Sequence, residues 1–181
     1  MPELPPTGTS STRLIIIRGN SGSGKSTVAR RLQRGYGRGC ALVEQDYLRR
    51  IVLRERDVPG GIAPALIEQT VRFALDHHYH AVLEGILFRD KYGPMLTALR
   101  RAHRGRTSVF YLDVSLAETL RRHATRPQAT EFTPANMRAW YVPRDLLGVD
   151  DEQVVPESST LDETTAGIAA AAGLPQTGDG G

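Results

Sequence analysis

A chain of 181 residues with 40% hydrophobic content is long enough for one domain around one core, and too apolar overall to be a disordered segment. A single cysteine, Cys40, excludes an internal disulfide, and no apolar run approaches the ~20 residues that span a bilayer. The net charge of +3 is mild; only Lys25 and Lys91 are lysines, and the 21 arginines fit a solvated surface without demanding a nucleic-acid face.

In chain order, residues 1–12 are rich in Pro, Thr and Ser and read as a flexible arm without the basic start and apolar middle of a secretion signal, so a cytoplasmic location is expected. The β-branched run Arg13–Ile17 predicts a fully buried strand. A helix is expected from Lys25, with Val28, Ala29 and Leu32 on one face, stopped by Gly35, Gly37 and Gly39. Cys40–Glu44 is a second strand, with Cys40 as a small core residue, and Asp46–Arg56 a helix. Pro64–His77 is helical, His80–Glu84 a third strand, and Tyr92–Arg104 a helix on Met95, Leu96, Leu99 and Ala102. Thr107–Leu112 is a fourth strand. Ser115 to Glu118 and Thr160 to Glu163 are capping boxes, and Thr133-Pro134 is an N-cap and N1 pair for a helix reaching Trp140. Glu152–Pro156 is a weak fifth strand; the last helix runs through Ala172 to Gly173, and 174–181 is a flexible tail.

Alternation of nearly continuous apolar strands with helices predicts a parallel sheet covered on both faces, with ligands beyond the C-terminal strand ends. There lies Gly19-Asn20-Ser21-Gly22-Ser23-Gly24-Lys25-Ser26, which matches GxxxxGK[ST] between a strand and an amphipathic helix. The glycines let the backbone amides curl toward phosphate oxygens, Lys25 adds a charge on the β and γ phosphates, and Ser26 is a ligand for Mg²⁺. The helix that starts with Lys25, Ser26 and Thr27 adds its positive end. The expected cofactors are therefore ATP and Mg²⁺.

The stretch GNSGSGKSTVARRL resembles the loop of small P-loop kinases with the nucleoside-monophosphate-kinase fold. That group includes gluconate and shikimate kinases, chloramphenicol phosphotransferase, zeta toxins and polynucleotide kinases. The resemblance spans roughly residues 13–172 and is strongest at the loop. It implies an α/β P-loop NTPase, a three-layer α/β/α sandwich with a five-stranded, mostly parallel sheet, a domain over 13–173 and a helical lid over about 121–140.

The resemblance also implies roles for acids at strand ends. Asp46, after the second strand, matches an aspartate that faces the acceptor as general base; a helix N-cap is its bland alternative, and Glu44 is the local competitor. Glu84 resembles a Glu-Gly pair that orients the acceptor or holds Mg²⁺ through water, with Gly85 leaving space beside the phosphates. Asp113 reads as a turn residue rather than a Walker B aspartate. Arg122 and Arg126, four apart, match lid arginines that close over the transferring phosphate, with Arg121 a weaker candidate and a solvated basic helix end the alternative. His77, His78 and His80 lack a spaced partner for a metal site, and Trp140 and Tyr141 either wall an acceptor pocket or pack a helix. The function expected is transfer of the γ-phosphate of ATP to a hydroxyl on a small molecule. A polynucleotide 5′-hydroxyl kinase, with nucleic acid as partner, and a nucleotide-dependent switch are the alternatives. No membrane partner is expected, and the sequence leaves the oligomeric state open.

Overall fold

The computed structural model describes residues 4–125 and 133–176. Five strands alternate with helices: β1 (Arg13–Gly19), α1 (Lys25–Tyr36), β2 (Cys40–Glu44), α2 (Ala63–Asp76), β3 (His80–Gly85), α3 (Arg89–Ala102), β4 (Arg106–Asp113), α4 (Leu116–Ala124), α5 (Pro134–Trp140), β5 (Glu152–Pro156) and α6 (Leu161–Ala172). The strands form one sheet in the order β2-β3-β1-β4-β5, and every pairing is parallel.

Central β1 explains the architecture. Leu14, Ile15, Ile16 and Ile17 are all 0% exposed, so the strand is covered on both faces, each side chain contributing about 1.5–3 kcal/mol relative to exposure. Leu14 and Ile16 pack with Ile67, Val71 and Leu75 of α2 and Leu96 and Leu99 of α3. Ile15 and Ile17 pack with Val28 and Leu32 of α1 and Ile168 and Ala172 of α6. The result is three layers, with Gly19 opening the phosphate loop at the C-terminal end of the central strand. In register, Ile17 lies beside Glu84, and Glu84 beside Glu44.

Three expectations are corrected. The helix predicted over Asp46–Arg56 is a π-helical turn, Tyr47–Val52. The chain beyond it bends back so that the Glu55 carboxylate accepts from Ile62 N (2.7 Å) and Ala63 N (3.0 Å), capping α2, whose own N-cap Ile62 has no side-chain oxygen to offer. The arm predicted over 1–12 is docked from Thr7 onward: Thr7 Oγ1 and Gly8 N donate to Asp76 Oδ1 at 2.7 and 2.8 Å, and Thr7 and Thr12 are 1% exposed. Hydroxyls that read as linker composition are partners for Asp76 and His103. At the other end, left-handed Gly173 lets Leu174 N donate to Ala169 O, burying Leu174 in the core. The described folded body therefore exceeds the predicted 13–173 at both edges.

His103 anchors the N-terminal edge. Its Nε2 pairs with Thr12 Oγ1 (2.9 Å) and its Nδ1 with Thr107 Oγ1 (2.8 Å). Burial, reinforced by the nearby Arg13 charge, pushes its pKa down from 6.5 to about 4. Between those values the unfolded chain binds a proton that the folded chain does not, so stability is expected to fall as pH drops from 6.5 to about 4. The loss is up to about 3 kcal/mol. Urea unfolding across this range should show the slope, and His103→Gln should flatten it; an equal slope in the variant would place the acid sensitivity elsewhere.

Candidate active site

The phosphate loop takes its shape from backbone that favours glycine at three points, Gly19, Gly22 and Gly24. A Cβ on Gly19 (φ +149°) would meet Leu112 O at 2.8 Å, and Gly24 (φ +101°) is the left-handed N-cap of α1. Gly24 offers no side-chain cap, and the first intrahelical bond runs from Val28 N to Gly24 O. The amides of Lys25, Ser26 and Thr27 thus have no intrahelical acceptor and make a seat for anionic oxygens. Lys25, 7% exposed, folds its Nζ onto Asn20 O at 2.8 Å and toward Ser23 Oγ at 3.4 Å. A cation poised on loop oxygens fits a phosphate that would draw it off them. Ser21 and Gly22 complete the loop, half-buried. Asn20 was predicted in the cradle, but its side chain faces away: Nδ2 donates to Val142 O (2.8 Å) and Oδ1 accepts from Val142 N (3.0 Å).

Ser26 and Glu84, predicted together for Mg²⁺, are together. Ser26 Oγ donates to Glu84 Oε1 at 2.9 Å, and Glu84 is 3% exposed. Burial raises the Glu84 pKa above 4.5; Lys25 and the Ser26 bond pull it back, while Glu44 pushes it further up. A hydroxyl and a buried carboxylate beside a phosphate seat form an oxygen donor set that suits Mg²⁺. One turn along α1, Arg30 binds Glu44 Oε1 at 2.6 Å. Glu44 is therefore committed to α1. Asp46 is half-exposed at 56% and held by Arg49 Nη2 and Arg50 Nη1, each at 2.9 Å. Gly85 corrects its expectation: a Cβ there would lie 2.3 Å from Gln45 Oε1, so its bareness accommodates Gln45.

Arg122 reaches the loop from α4. Its Nη1 donates to Ser23 O at 3.1 Å, its Nε to Glu118 Oε1 at 2.6 Å, and its Nη2 to Glu157 O at 3.4 Å. Bonds from Arg121 and Arg122 hold the Glu118 carboxyl down at about 2. The Ser115 capping box is therefore half-made: Ser115 Oγ accepts from Glu118 N, but Ser115 N donates to Glu157. Arg121 is mostly exposed, and Arg126 lies outside the described residues, as does the 126–132 part of the predicted lid. A cavity of about 410 Å³ opens beside Gly24 and Thr27, with Val28, Val155 and Leu161 among its apolar lining and Arg122 at its edge.

Asp113, expected in a turn, is the last residue of β4, in register with Pro156, and its carboxylate accepts from Arg144 Nη1 at 3.2 Å. Tyr141 Oη donates to Val114 O, and Trp140 is 41% exposed. His80 spends both ring nitrogens on Arg13 N and Tyr36 Oη. No group of three or more His, Cys, Asp or Glu side chains placed to hold a metal ion occurs among the described residues, and no helix there is long and apolar enough to cross a membrane. Sequence reasoning missed Arg18, 0% exposed on β1 and ion-paired with Asp145 (2.9 Å) and Glu152 (3.0 Å). An arginine directly after four buried apolar residues was the available signal, since a buried charge requires partners.

This fold is shared with solved structures of low sequence identity. The Mycobacterium tuberculosis APS kinase CysC in complex with AMPPNP and APS superposes with a TM-score of 0.67 at 17% identity, covering 92% of this chain and 98% of that one. A gluconokinase from Sinorhizobium meliloti 1021 gives 0.61 at 20% identity, with coverages of 94% and 96%. The Deinococcus radiodurans tunicamycin resistance protein gives 0.65 at 17% identity, with coverages of 93% and 99%. No curated protein sequence matches the chain. A family model described as an AAA domain matches residues 14–143, from the first buried residue of β1 to just past the Asn20–Val142 tie, and the chain accordingly belongs to that AAA domain family, with the fold of the small P-loop kinases.

Proposed function

We propose that the protein is an ATP- and Mg²⁺-dependent kinase that transfers the γ-phosphoryl group to a hydroxyl of a small molecule. The observation that carries this reading is the Ser26–Glu84 hydrogen bond at 2.9 Å beside the amide seat and Lys25. The solved neighbours add support, since they include an APS kinase, a gluconokinase and a sugar kinase.

In this reading the cavity beside Thr27 and Val28 takes the nucleoside, its apolar lining covering the base. The amides of α1 and Lys25 hold the β and γ phosphates. Ser26 and Glu84 hold Mg²⁺, which would neutralise charge on the phosphate oxygens. Arg122 exchanges its bond to Ser23 O for the transferring phosphoryl oxygens, where a guanidinium stabilises the charge of the transition state. Asp46 orients the acceptor hydroxyl and takes its proton, the flanking Arg49 and Arg50 fixing the carboxylate.

The test is ADP release with Mg·ATP across nucleosides, sugars, sugar nucleotides, hydroxyl-bearing antibiotics and a 5′-hydroxyl oligonucleotide, with Lys25→Ala as the blank. One small acceptor is expected to stimulate release. Asp46→Asn should bind Mg·AMPPNP normally and lose stimulated turnover by about 10²–10⁴-fold. Unchanged turnover would remove Asp46 as the base, stimulation by the oligonucleotide alone would make the protein an end kinase, and a flat panel with steady hydrolysis would favour a switch.

A further inference from the structure

Leu87 follows Glu84-Gly85-Ile86 where the chain leaves β3, and it has φ +47° while 0% exposed. A bulky residue in the left-handed region is strained and persists only where its surroundings enforce it. Two buried polar side chains do so. Gln45 Oε1 accepts from Leu87 N at 3.3 Å, and Arg18 donates twice to Leu87 O, from Nε at 3.1 Å and Nη2 at 3.0 Å.

Each clamp is itself braced. Gln45 Nε2 donates to Tyr92 Oη at 3.0 Å, and its carboxamide occupies the space that a Gly85 side chain would fill. Arg18 is neutralised by Asp145 and Glu152, and Asp145 Oδ2 also accepts Arg89 N at 2.9 Å, fixing the start of α3. Both brackets thus act on the four residues between Glu84 and α3. The residues either side of Leu87, Ile86 and Phe88, stay half-exposed at the active edge of the sheet. An arrangement that spends two buried polar groups on one strained peptide is one that needs its neighbours in a set place.

We propose that Arg18 and Gln45 are positioning residues for the acceptor: they hold the β3–α3 turn so that Ile86 and Phe88 form one wall of the acceptor site beside Glu84. The inference rests on the kinase reading for its acceptor, but the clamp itself does not.

Two variants test it. Arg18→Lys keeps a charge for Asp145 and Glu152 but lacks the two-pronged donation, and Gln45→Met keeps the volume but accepts no bond. Hydrogen exchange should show the Leu87 amide opening about tenfold or more faster in both, with the phosphate loop unchanged. With the acceptor that the panel identifies, KM for the acceptor should rise about ten- to a hundredfold, kcat should change by less than about threefold, and Mg·AMPPNP affinity should stay within about twofold. Unchanged Leu87 exchange in both variants overturns the clamp. Faster exchange with an unaltered acceptor KM, or an equal loss of AMPPNP affinity, overturns the positioning role. Should the wild-type protein fail to bind Mg·AMPPNP, the kinase reading and the acceptor wall fall together, while the exchange data still decide the clamp.

Discussion

Glu84→Gln is expected to lower kcat/KM for Mg·ATP by about 10²–10³-fold without unfolding the protein, which makes it the sharpest probe of the phosphate site. Glutamine keeps the shape and can still accept from Ser26 Oγ, so the seat survives while the negative charge is lost. The stability consequence has a definite sign. Burial raises the folded pKa of Glu84 above 4.5, so the unfolded chain gives up its proton first. Folding stability is then fully present below 4.5 and declines as pH rises through the folded pKa. A permanently neutral glutamine escapes that decline, and the variant should be at least as stable as the wild type at pH 7. Activity runs the other way. The carboxylate is the form that serves Mg²⁺, so kcat/KM of the wild type should fall on the acid side at a pH above the ordinary glutamate value. An inactive but stable variant fits a functional carboxylate. Wild-type turnover in Glu84→Gln, or an acid limb no higher than 4.5, would remove Glu84 from the chemistry.

Arg18→Met should destabilise the fold by about 3–5 kcal/mol, the usual cost of removing one partner from a buried ion pair. Arg18 is fully buried and its two carboxylate partners are 17% and 3% exposed, so neither Asp145 nor Glu152 has enough water to replace it. Leu87 O also loses both of its arginine donors. For a domain of this size each kcal/mol shifts Tm by about 2–4 °C, so a fall of roughly 10 °C is expected in calorimetry. Neutralising the carboxylates as well, in Arg18→Met with Asp145→Asn and Glu152→Gln, should recover much of the loss, because uncompensated charge causes most of it. A triple variant no better than Arg18→Met would shift the explanation from charge to packing.

Periodicity and motif carried much of this molecule. The β-branched run of β1, the alternation of apolar strands with amphipathic helices and the GxxxxGK[ST] spacing depend on neighbours a few residues apart, and those distances are written in the chain. The Thr160–Glu163 capping box formed as predicted, and Thr133 gained a reciprocal partner in Asn136 that the pattern had not included. The Ser26–Glu84 pairing was legible only through a resemblance, since 58 residues separate the two groups.

Local sequence was enough for the sheet, the phosphate loop and which acids stand at strand ends, because backbone geometry and hydrophobic periodicity act over a few residues. Tertiary structure decided what each charged group faces. It assigned Glu44 to Arg30, placed Arg122 on Ser23 and turned the Asn20 side chain onto Val142. It also bent the segment after Asp46 so that Glu55 caps α2, and it held Leu87 between Arg18 and Gln45. These choices turn on desolvation: a polar group taken out of water must find a partner wherever the fold brings one, and no local pattern says which partner that will be.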